Sequence, residues 1–249
     1  MVKKEVDIIG LLEQAFSEEG QAELKEIGSV VRVGDNIASV YGLTSALYGE
    51  LITFDTGDQG VALDLDEHFV SVVLLDKINC VSEHTKAYRT GSAFQIQVGE
   101  ELLGRTINPR GIPLDGLGII DTKEFRPLER EAPSIMRRKP INRPFETGII
   151  AIDTLVPIGK GQRELLVGGR STGKTSIALD IILNQKNKNV ICIYVSIGHK
   201  QADTARILNL LEQNNALEYS IIVTADAHDS ALNQFFAPYA GCTIGEYFM

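Results

Sequence analysis

The chain has 249 residues, 44% of them hydrophobic and 23% charged, which is enough to bury one large core or two smaller ones. Its formal net charge of −9 argues against strong binding to nucleic acid or to an anionic membrane, because such proteins cluster lysine and arginine. Three cysteines (Cys80, Cys192 and Cys242) are too few and too far apart for a disulfide framework or a metal knuckle. We predict that they are reduced, intracellular and packed in the core.

The N-terminal residues predict a short helix, because apolar side chains recur near helical spacing over residues 7–24. These side chains are Ile8, Ile9, Leu11, Leu12, Ala15 and Phe16. The first residues show neither the apolar core of a signal peptide nor an arginine- and serine-rich transit segment. We therefore assign residues 1–24 to an N-terminal helical segment and expect a bacterial source.

Residues 25–93 predict a small antiparallel β-barrel. Short β-type runs cover residues 30–33, 37–41, 49–54, 61–65 and 69–75. Turn residues such as Asp35-Asn36 and Thr56-Gly57-Asp58 separate these runs at even spacing. Even spacing of this kind is typical of a barrel.

A proline-rich segment follows the predicted barrel. Six of the eight prolines fall between residues 109 and 144, which predicts irregular, extended chain with few regular elements. Four basic residues form a local cluster there: Arg137, Arg138, Lys139 and Arg143. Two interpretations stay open, a solvated loop or a contact with a phosphate or a partner subunit.

From about residue 160 the pattern alternates between strand and helix. We predict strands at residues 164–167, 190–195 and 220–223, separated by helical faces at 174–184 and 204–211. A further helix is predicted at residues 238–248. This order predicts a parallel α/β domain, which we assign to residues 94–249.

Residues 168–175 carry the chemistry. They read Gly168, Gly169, Arg170, Ser171, Thr172, Gly173, Lys174 and Thr175, which fits the phosphate-loop pattern G-x-x-x-x-G-K-[S/T]. Glycines let the backbone N–H groups converge on a phosphate, and the following helix adds the positive end of its dipole. Lys174 would contact the β- and γ-phosphates of ATP, and the Thr175 hydroxyl would ligate Mg²⁺.

His199 follows the predicted strand 190–195, at the carboxyl end where ligands bind in open α/β sheets. It is a candidate accessory contact to phosphate or water, and a histidine that merely packs in a loop is the alternative. The other three histidines are scattered without metal-ligand spacing. We assign them no role and name no catalytic residue.

Several segments together resemble one family, the alpha subunits of the rotary (F-type) ATP synthase. The segment GIIAIDTLVPIGKGQRELLVGGRSTGKT, at residues 148–175, resembles the approach to that family's phosphate loop. VGEELLGR at 98–105, CIYVSIG at 192–198 and APYAGCTIGEYF at 237–248 are also similar, as are the stretches at 33–38 and 40–43. The resemblance covers nearly the whole chain.

The resemblance implies a β-barrel followed by an α/β phosphate-loop NTPase domain with a RecA-like parallel sheet. It further implies a non-catalytic, regulatory subunit that binds Mg²⁺ and ATP in the head of a proton-translocating ATP synthase. The implied partners are beta subunits in an alternating hetero-hexamer, the gamma shaft and peripheral stalk subunits, with no nucleic acid. Contact with the membrane would come only through the complex, on the cytoplasmic face of a bacterial inner membrane or, alternatively, the matrix side of the mitochondrial one.

The chain departs from the family pattern at several positions. Gly169 and Ser171 stand where the family's loop has aspartate and glutamine, so we expect a weaker nucleotide site. His199 stands where catalytic beta subunits carry a glutamate base and alpha subunits a glutamine. The resemblance also implies that the domain is incomplete, since the family's metal-organising aspartate strand and C-terminal helical domain have no counterpart here.

Two other hypotheses remain open at this point. A hexameric RNA translocase of the transcription-terminator type also joins an oligonucleotide-binding barrel to a phosphate-loop domain, although this barrel lacks an aromatic-rich basic groove. The chain could also be an inert truncated product, either a fragment or the product of a disrupted gene.

Overall fold

The structure, a computed structural model, describes residues 26–76 and 80–249. These residues divide into two compact units, one of residues 26–74 and 80–92, the other of residues 75–76 and Ala93–Met249. The helix predicted over residues 7–24 lies outside the described residues. Within the described ranges, no helix has the length and apolarity that a membrane span requires.

A closed six-stranded barrel forms the first unit, with the strand order β1-β2-β5-β4-β3-β6. Its strands are β1 (Ile27–Gly34), β2 (Ile37–Tyr41), β3 (Glu50–Phe54), β4 (Gln59–Leu65), β5 (Phe69–Leu74) and β6 (Lys86–Ala93). The antiparallel barrel predicted from the sequence is confirmed. Strand β6 was not predicted, because only Ala87 in it is buried and apolar alternation is absent.

Alternating inward side chains fill the barrel. Strands β2 and β5 each place buried residues at every second position, among them Ala38, Val40, Val70 and Val72. The turn between β1 and β2 consists of Asp35 and Asn36, both with positive φ. Such a two-residue turn has the twist that joins adjacent antiparallel strands.

One buried carboxylate organises the barrel wall. Glu50 is only 1% exposed and accepts hydrogen bonds from the Arg89 guanidinium and from the backbone N–H groups of Leu47 and Gly91. Burial alone would raise the pKa of Glu50, but these donors outweigh it and hold the pKa below its usual value. Arg89 also pairs with Glu26 at 3.3 Å, so the barrel contains a three-membered charge network.

The second unit begins with short strands: β7 (Gln95–Val98), β8 (Thr106–Ile107), β9 (Glu124–Pro127), β10 (Pro144–Phe145) and β11 (Ile158–Gly159). Strand β7 pairs with β9, and β10 pairs with β11, both antiparallel. Few regular elements lie between residues 108 and 143, as the prolines of this region predict.

Its main sheet is parallel and has the order β12-β13-β8, where β12 is Cys192–Ile197 and β13 is Ser220–Ala225. Four helices accompany it: α1 (Ile150–Leu155), α2 (Lys174–Leu183), α3 (Gln201–Gln213) and α4 (Ala231–Phe248). The predicted parallel α/β domain is confirmed. The sequence did not predict that β8 joins the sheet, because a strand of two residues is too short to show an alternating apolar pattern.

Helices cover both faces of this sheet. Buried Leu179 and Ile182 of α2 cluster with Ile207 and Leu211 of α3 and with Ile222 of β13. On the opposite face α4 packs so closely on β12 that a Cβ at Gly241 would lie 2.5 Å or less from the Val195 side chain. The sheet is therefore the middle of three layers.

Helix α4 begins seven residues earlier than predicted. Ser230 caps it by accepting a hydrogen bond from the Asn233 N–H, and Pro238 lies inside the helix. Proline has no N–H, so the helix loses one backbone hydrogen bond there but continues. The seven residues before Pro238 are thus helical as well, which the sequence prediction left out.

The strand predicted at residues 164–167 is wrong. These residues belong to no strand or helix, and Leu165 and Val167 are 82% and 81% exposed. A strand exists only through hydrogen bonds to a neighbour, and no described strand pairs with this segment. The prediction that all three cysteines are buried is also wrong, since Cys80 and Cys242 are exposed; all three are free thiols.

Candidate functional site

Residues 168–173 form an exposed loop that leads directly into helix α2. Ser171 has φ 57° and Gly173 has φ 90°, both in the left-handed region. Gly173 is also the residue that caps α2, and no capping side chain accepts a hydrogen bond from the N–H groups of the first turn. Alternation into the left-handed region turns successive N–H groups toward one side, the geometry of an anion-binding nest.

Lys174 lies across the loop. Its ammonium donates to the Gly168 carbonyl at 2.8 Å and also to the Gly169 carbonyl, with Thr172 Oγ1 at 3.5 Å. The side chain therefore folds back over the loop and places a positive charge there. A phosphate bound to the loop would meet this charge without a large movement of the backbone.

Small residues keep the loop tight. A Cβ at Gly168 would lie 2.8 Å from Thr172 Oγ1, so any larger residue there would force the loop apart. Thr172 Oγ1 donates to the Gly169 carbonyl at 2.9 Å and so closes the turn.

The start of α2 is electrostatically suited to an anion. No acidic residue lies in its first turn, and the helix dipole places partial positive charge at this end. Thr175, the second helical residue, is exposed. A hydroxyl oxygen is one of the ligand types that Mg²⁺ takes, together with water and substrate phosphates.

The described residues contain no group of three or more His, Cys, Asp or Glu side chains that could hold a metal ion. A dedicated all-protein Mg²⁺ cage is therefore not present in this part of the chain.

His199 lies just beyond the carboxyl end of β12, after Gly198, whose φ is 68°. Its carbonyl accepts a hydrogen bond from the Ala227 N–H, which ties the loops after β12 and β13 together. Its half-buried imidazole makes no hydrogen bond to any described residue, the phosphate loop included. The accessory role assigned to His199 stays a prediction.

Sequence reasoning missed the turn that follows β13. Asp226 accepts a hydrogen bond from Thr224 Oγ1, and its own N–H donates to Asp229 at 2.7 Å. These carboxylates share with His199 the edge of the sheet at which parallel strands end. The sequence does indicate this turn, because Asp226 directly follows the strand Ser220–Ala225, at the end where ligands bind in parallel sheets.

A second hydrogen-bonded turn shapes the approach to the loop. Asp153 of α1 accepts from the Thr147 hydroxyl and amide and from the Gly148 N–H. The Thr147 hydroxyl is the main cause that lowers the pKa of Asp153. This carboxylate fixes the start of α1.

Comparison with known proteins identifies the family. Residues 23–91 match the beta-barrel domain of the ATP synthase alpha/beta family, and residues 148–249 match its nucleotide-binding domain. The chain belongs to the ATP synthase alpha/beta family. Its phosphate loop thus lies inside the matched nucleotide-binding domain.

Similar full-length proteins are alpha subunits. The chain is 48% identical over 244 residues to ATP synthase subunit alpha of Acetivibrio thermocellus. The aligned region covers 98% of this chain and 48% of that relative. It is 51% identical over 227 residues to subunit alpha of Caldanaerobacter subterraneus subsp. tengcongensis, covering 91% and 45%. Subunit alpha of Dehalococcoides mccartyi is 48% identical over 244 residues, covering 98% and 48%.

The chain spans about half the length of these relatives. The recognition of an alpha-type ATP synthase subunit is confirmed, and the RNA translocase is set aside.

Proposed function

We propose that this chain is a non-catalytic, regulatory nucleotide-binding subunit of a proton-translocating ATP synthase, with MgATP as its ligand. The observation that carries the proposal is the loop at residues 168–175, in which Lys174 is already positioned over a tight glycine-bounded turn at a helix start. Subunit alpha of A. thermocellus supports the assignment to the ATP synthase head.

The roles of the residues follow from the chemistry of the loop. The amides of residues 168–173 would donate to the phosphates, and Lys174 would exchange its bonds to the loop carbonyls for bonds to the β- and γ-phosphates. The Thr175 hydroxyl would hold Mg²⁺, which when bound neutralises phosphate charge. Arg170, Ser171 and Thr172 line the exposed rim, and His199 is an accessory contact.

Lack of turnover follows from the residue types at the carboxyl end of β12. Activation of an attacking water needs a base positioned near the phosphate. The family resemblance implies that His199 stands where catalytic beta subunits place a glutamate and alpha subunits a glutamine, so the carboxylate that serves those beta subunits as a base is absent at this position. We therefore propose that the chain binds ATP without hydrolysing it.

Assembly and location are part of the same proposal. Partners would be beta subunits in an alternating ring, the gamma shaft and peripheral stalk subunits, and the complex would hold the chain at the cytoplasmic face of a bacterial membrane. We propose domain limits of 1–24 for the N-terminal segment, 25–93 for the barrel and 94–249 for the nucleotide-binding domain.

Titration with a fluorescent ATP analogue in the presence of Mg²⁺ tests the proposal. Lys174→Ala should abolish binding, because it removes the positive charge that would contact the β- and γ-phosphates. Lys186→Ala is the matched control, since this exposed lysine follows the opposite end of α2 and should leave affinity unchanged. Equal affinity of the two variants would refute the role of Lys174, and steady phosphate release by the purified chain would refute the non-catalytic assignment.

A further inference from the structure

Two consecutive amide side chains follow helix α2 at the end opposite to the phosphate loop. Gln185 is only 2% exposed, and its Nε2 donates to the Glu146 carbonyl at 2.9 Å and to the Ile181 carbonyl at 3.1 Å. Asn184 Nδ2 donates to the same Glu146 carbonyl at 3.2 Å. Two amides therefore tie the end of α2 to one backbone oxygen outside the helix.

The segment that accepts these bonds is itself fixed. The buried Thr147 hydroxyl donates to Asp153 Oδ1 at 2.7 Å, and the Gly148 N–H donates to Asp153 Oδ2 at 2.9 Å. Gly148 has φ 80°, and a Cβ at this position would collide with the Asn184 side chain. Residues 146–148 thus form a closely packed support for the end of α2.

A tyrosine from another part of the chain holds the same end of α2. Tyr219 directly precedes β13, and its hydroxyl donates to the Ile182 carbonyl at 3.2 Å. Carbonyls in the last turn of a helix have no partner within the helix, so this bond satisfies one of them. Burial raises the pKa of Tyr219, so the hydroxyl keeps its proton at neutral pH and remains a donor. We name the bonds from Asn184, Gln185 and Tyr219 the C-terminal clamp.

The end of α2 that carries the phosphate loop has less support within the described part of the chain. Residues 161–173 are all exposed, and no described strand pairs with them. The first buried residue of α2 is Leu179, and it clusters with Ile182 of the same helix and with Ile207 and Leu211 of α3. The orientation of α2 is therefore set in its second half, at the side of the C-terminal clamp.

A short helix transmits a displacement from one end to the other. Helix α2 has 10 residues, so it is about 15 Å long and has a continuous ladder of backbone hydrogen bonds. A tilt at the C-terminal clamp moves the first turn and the loop before it. Hydrogen bonds from the loop amides to a phosphate depend on distance and angle, so such a movement weakens them.

We propose that Gln185 and Tyr219 are positioning residues for nucleotide binding, which hold α2 in the orientation that directs the loop amides toward a phosphate. The inference rests on the function proposed above and extends it to residues that do not contact the ligand. Gln185 acts through the Glu146 carbonyl, and Tyr219 acts through the Ile182 carbonyl.

Two conservative variants and one control test the proposal by titration with a fluorescent ATP analogue in the presence of Mg²⁺. Gln185→Met keeps the length of the side chain and removes its donor, and Tyr219→Phe removes a single hydroxyl. Affinity should fall about tenfold in Gln185→Met and about threefold in Tyr219→Phe. Lys186→Ala is the control, because this exposed neighbour of Gln185 makes no hydrogen bond within the described residues and should leave affinity unchanged.

Amide NMR spectra of the chain labelled only on its glycines give a second readout that needs no ligand. In both clamp variants the resonances of Gly168, Gly169 and Gly173 should shift, although these residues lie at the opposite end of α2. The resonance of Gly241, which packs on β12 from the other face of the sheet, should stay in place. A merely local structural role would move Gly148 and leave the loop glycines unchanged.

Far-UV circular dichroism confirms that each variant is folded at the temperature of the titration, and Tyr219→Phe decides the matter if Gln185→Met does not fold. Unchanged affinity in a folded clamp variant, unshifted loop glycines, or an equal loss of affinity in Lys186→Ala would overturn the proposal. Failure of the unaltered chain to bind the analogue would instead refute the proposed function. The glycine spectra would then still show whether the C-terminal clamp positions the loop.

Discussion

The ion pair between Arg105 and Asp115 should contribute measurable, pH-dependent stability to the second unit. Arg105 Nε lies 2.6 Å from Asp115 Oδ2, and Nη2 lies 2.9 Å from Oδ1, so the pair is bidentate. The backbone N–H groups of Thr106 and Leu117 donate to the same carboxylate. Side-chain exposures of 14% and 12% leave little water to replace these bonds.

The magnitude follows from the pKa of Asp115. Hydrogen bonds from Arg105 are the main cause that lowers this pKa from 3.8 to about 2, against the opposing effect of burial. One pKa unit corresponds to about 1.4 kcal/mol, so the ionised carboxylate stabilises the folded state by about 2 kcal/mol. Because the pKa is lower in the folded state, this contribution is complete above about pH 4 and is lost as the pH falls toward 2.

Urea unfolding followed by circular dichroism tests this reasoning with Asp115→Asn. The free energy of unfolding should fall by about 2 kcal/mol at pH 7, and about half of that difference should remain at pH 3. Asp121→Asn is the control, because that exposed aspartate makes no hydrogen bond within the described residues. Equal losses in the two variants, or a difference that does not change between pH 7 and pH 3, would refute it.

Three further predictions concern the barrel, the sheet and the thiols. Glu50→Ala should destabilise the barrel by about 3–5 kcal/mol, because the Arg89 guanidinium keeps only Glu26 as a partner and the Leu47 and Gly91 N–H groups lose their acceptor, and faster amide exchange in β3 should report it. Gly241→Val should cost about 1–3 kcal/mol in urea unfolding, because its Cβ would collide with Val195; an unchanged midpoint would show that α4 moves freely. Burial raises the pKa of Cys192 to about 11, so at pH 8 it should react with a disulfide reagent about 100-fold more slowly than the two exposed cysteines, and equal rates would contradict this.

Local patterns predicted the barrel well. Alternating apolar residues and the Asp35-Asn36 turn specify strand, face and hairpin within a few neighbouring residues. Strand β6 lacked this pattern, since its residues are held by pairing with β1 rather than by burial of their own side chains. The place of a strand in a closed barrel depends on the neighbouring strands with which it pairs, and the sequence of that strand alone does not reveal it.

The phosphate loop was predictable for a similar reason. Glycine spacing, Lys174 and the helix after it are all local, and the structure shows the loop, the helix start and the folded lysine together. The surroundings of His199 were not predictable in the same way. Its carbonyl contact to Ala227 joins two loops that come together only because β12 and β13 are neighbours in the sheet.

The failed strand at residues 164–167 shows why composition alone does not determine a strand. Residues 165–167, Leu-Leu-Val, have strong β propensity, yet strand geometry needs a neighbouring backbone to accept and donate hydrogen bonds. Strand β12 likewise has one unpaired edge: it pairs with β13 along one edge, and no described strand pairs with its other edge. A cavity of about 820 Å³ lies beside β12, with Ile158, Ile193 and Phe248 in its walls. Residues 164–167 and the free edge of β12 thus both lack a backbone partner among the described residues, and apolar composition does not replace one.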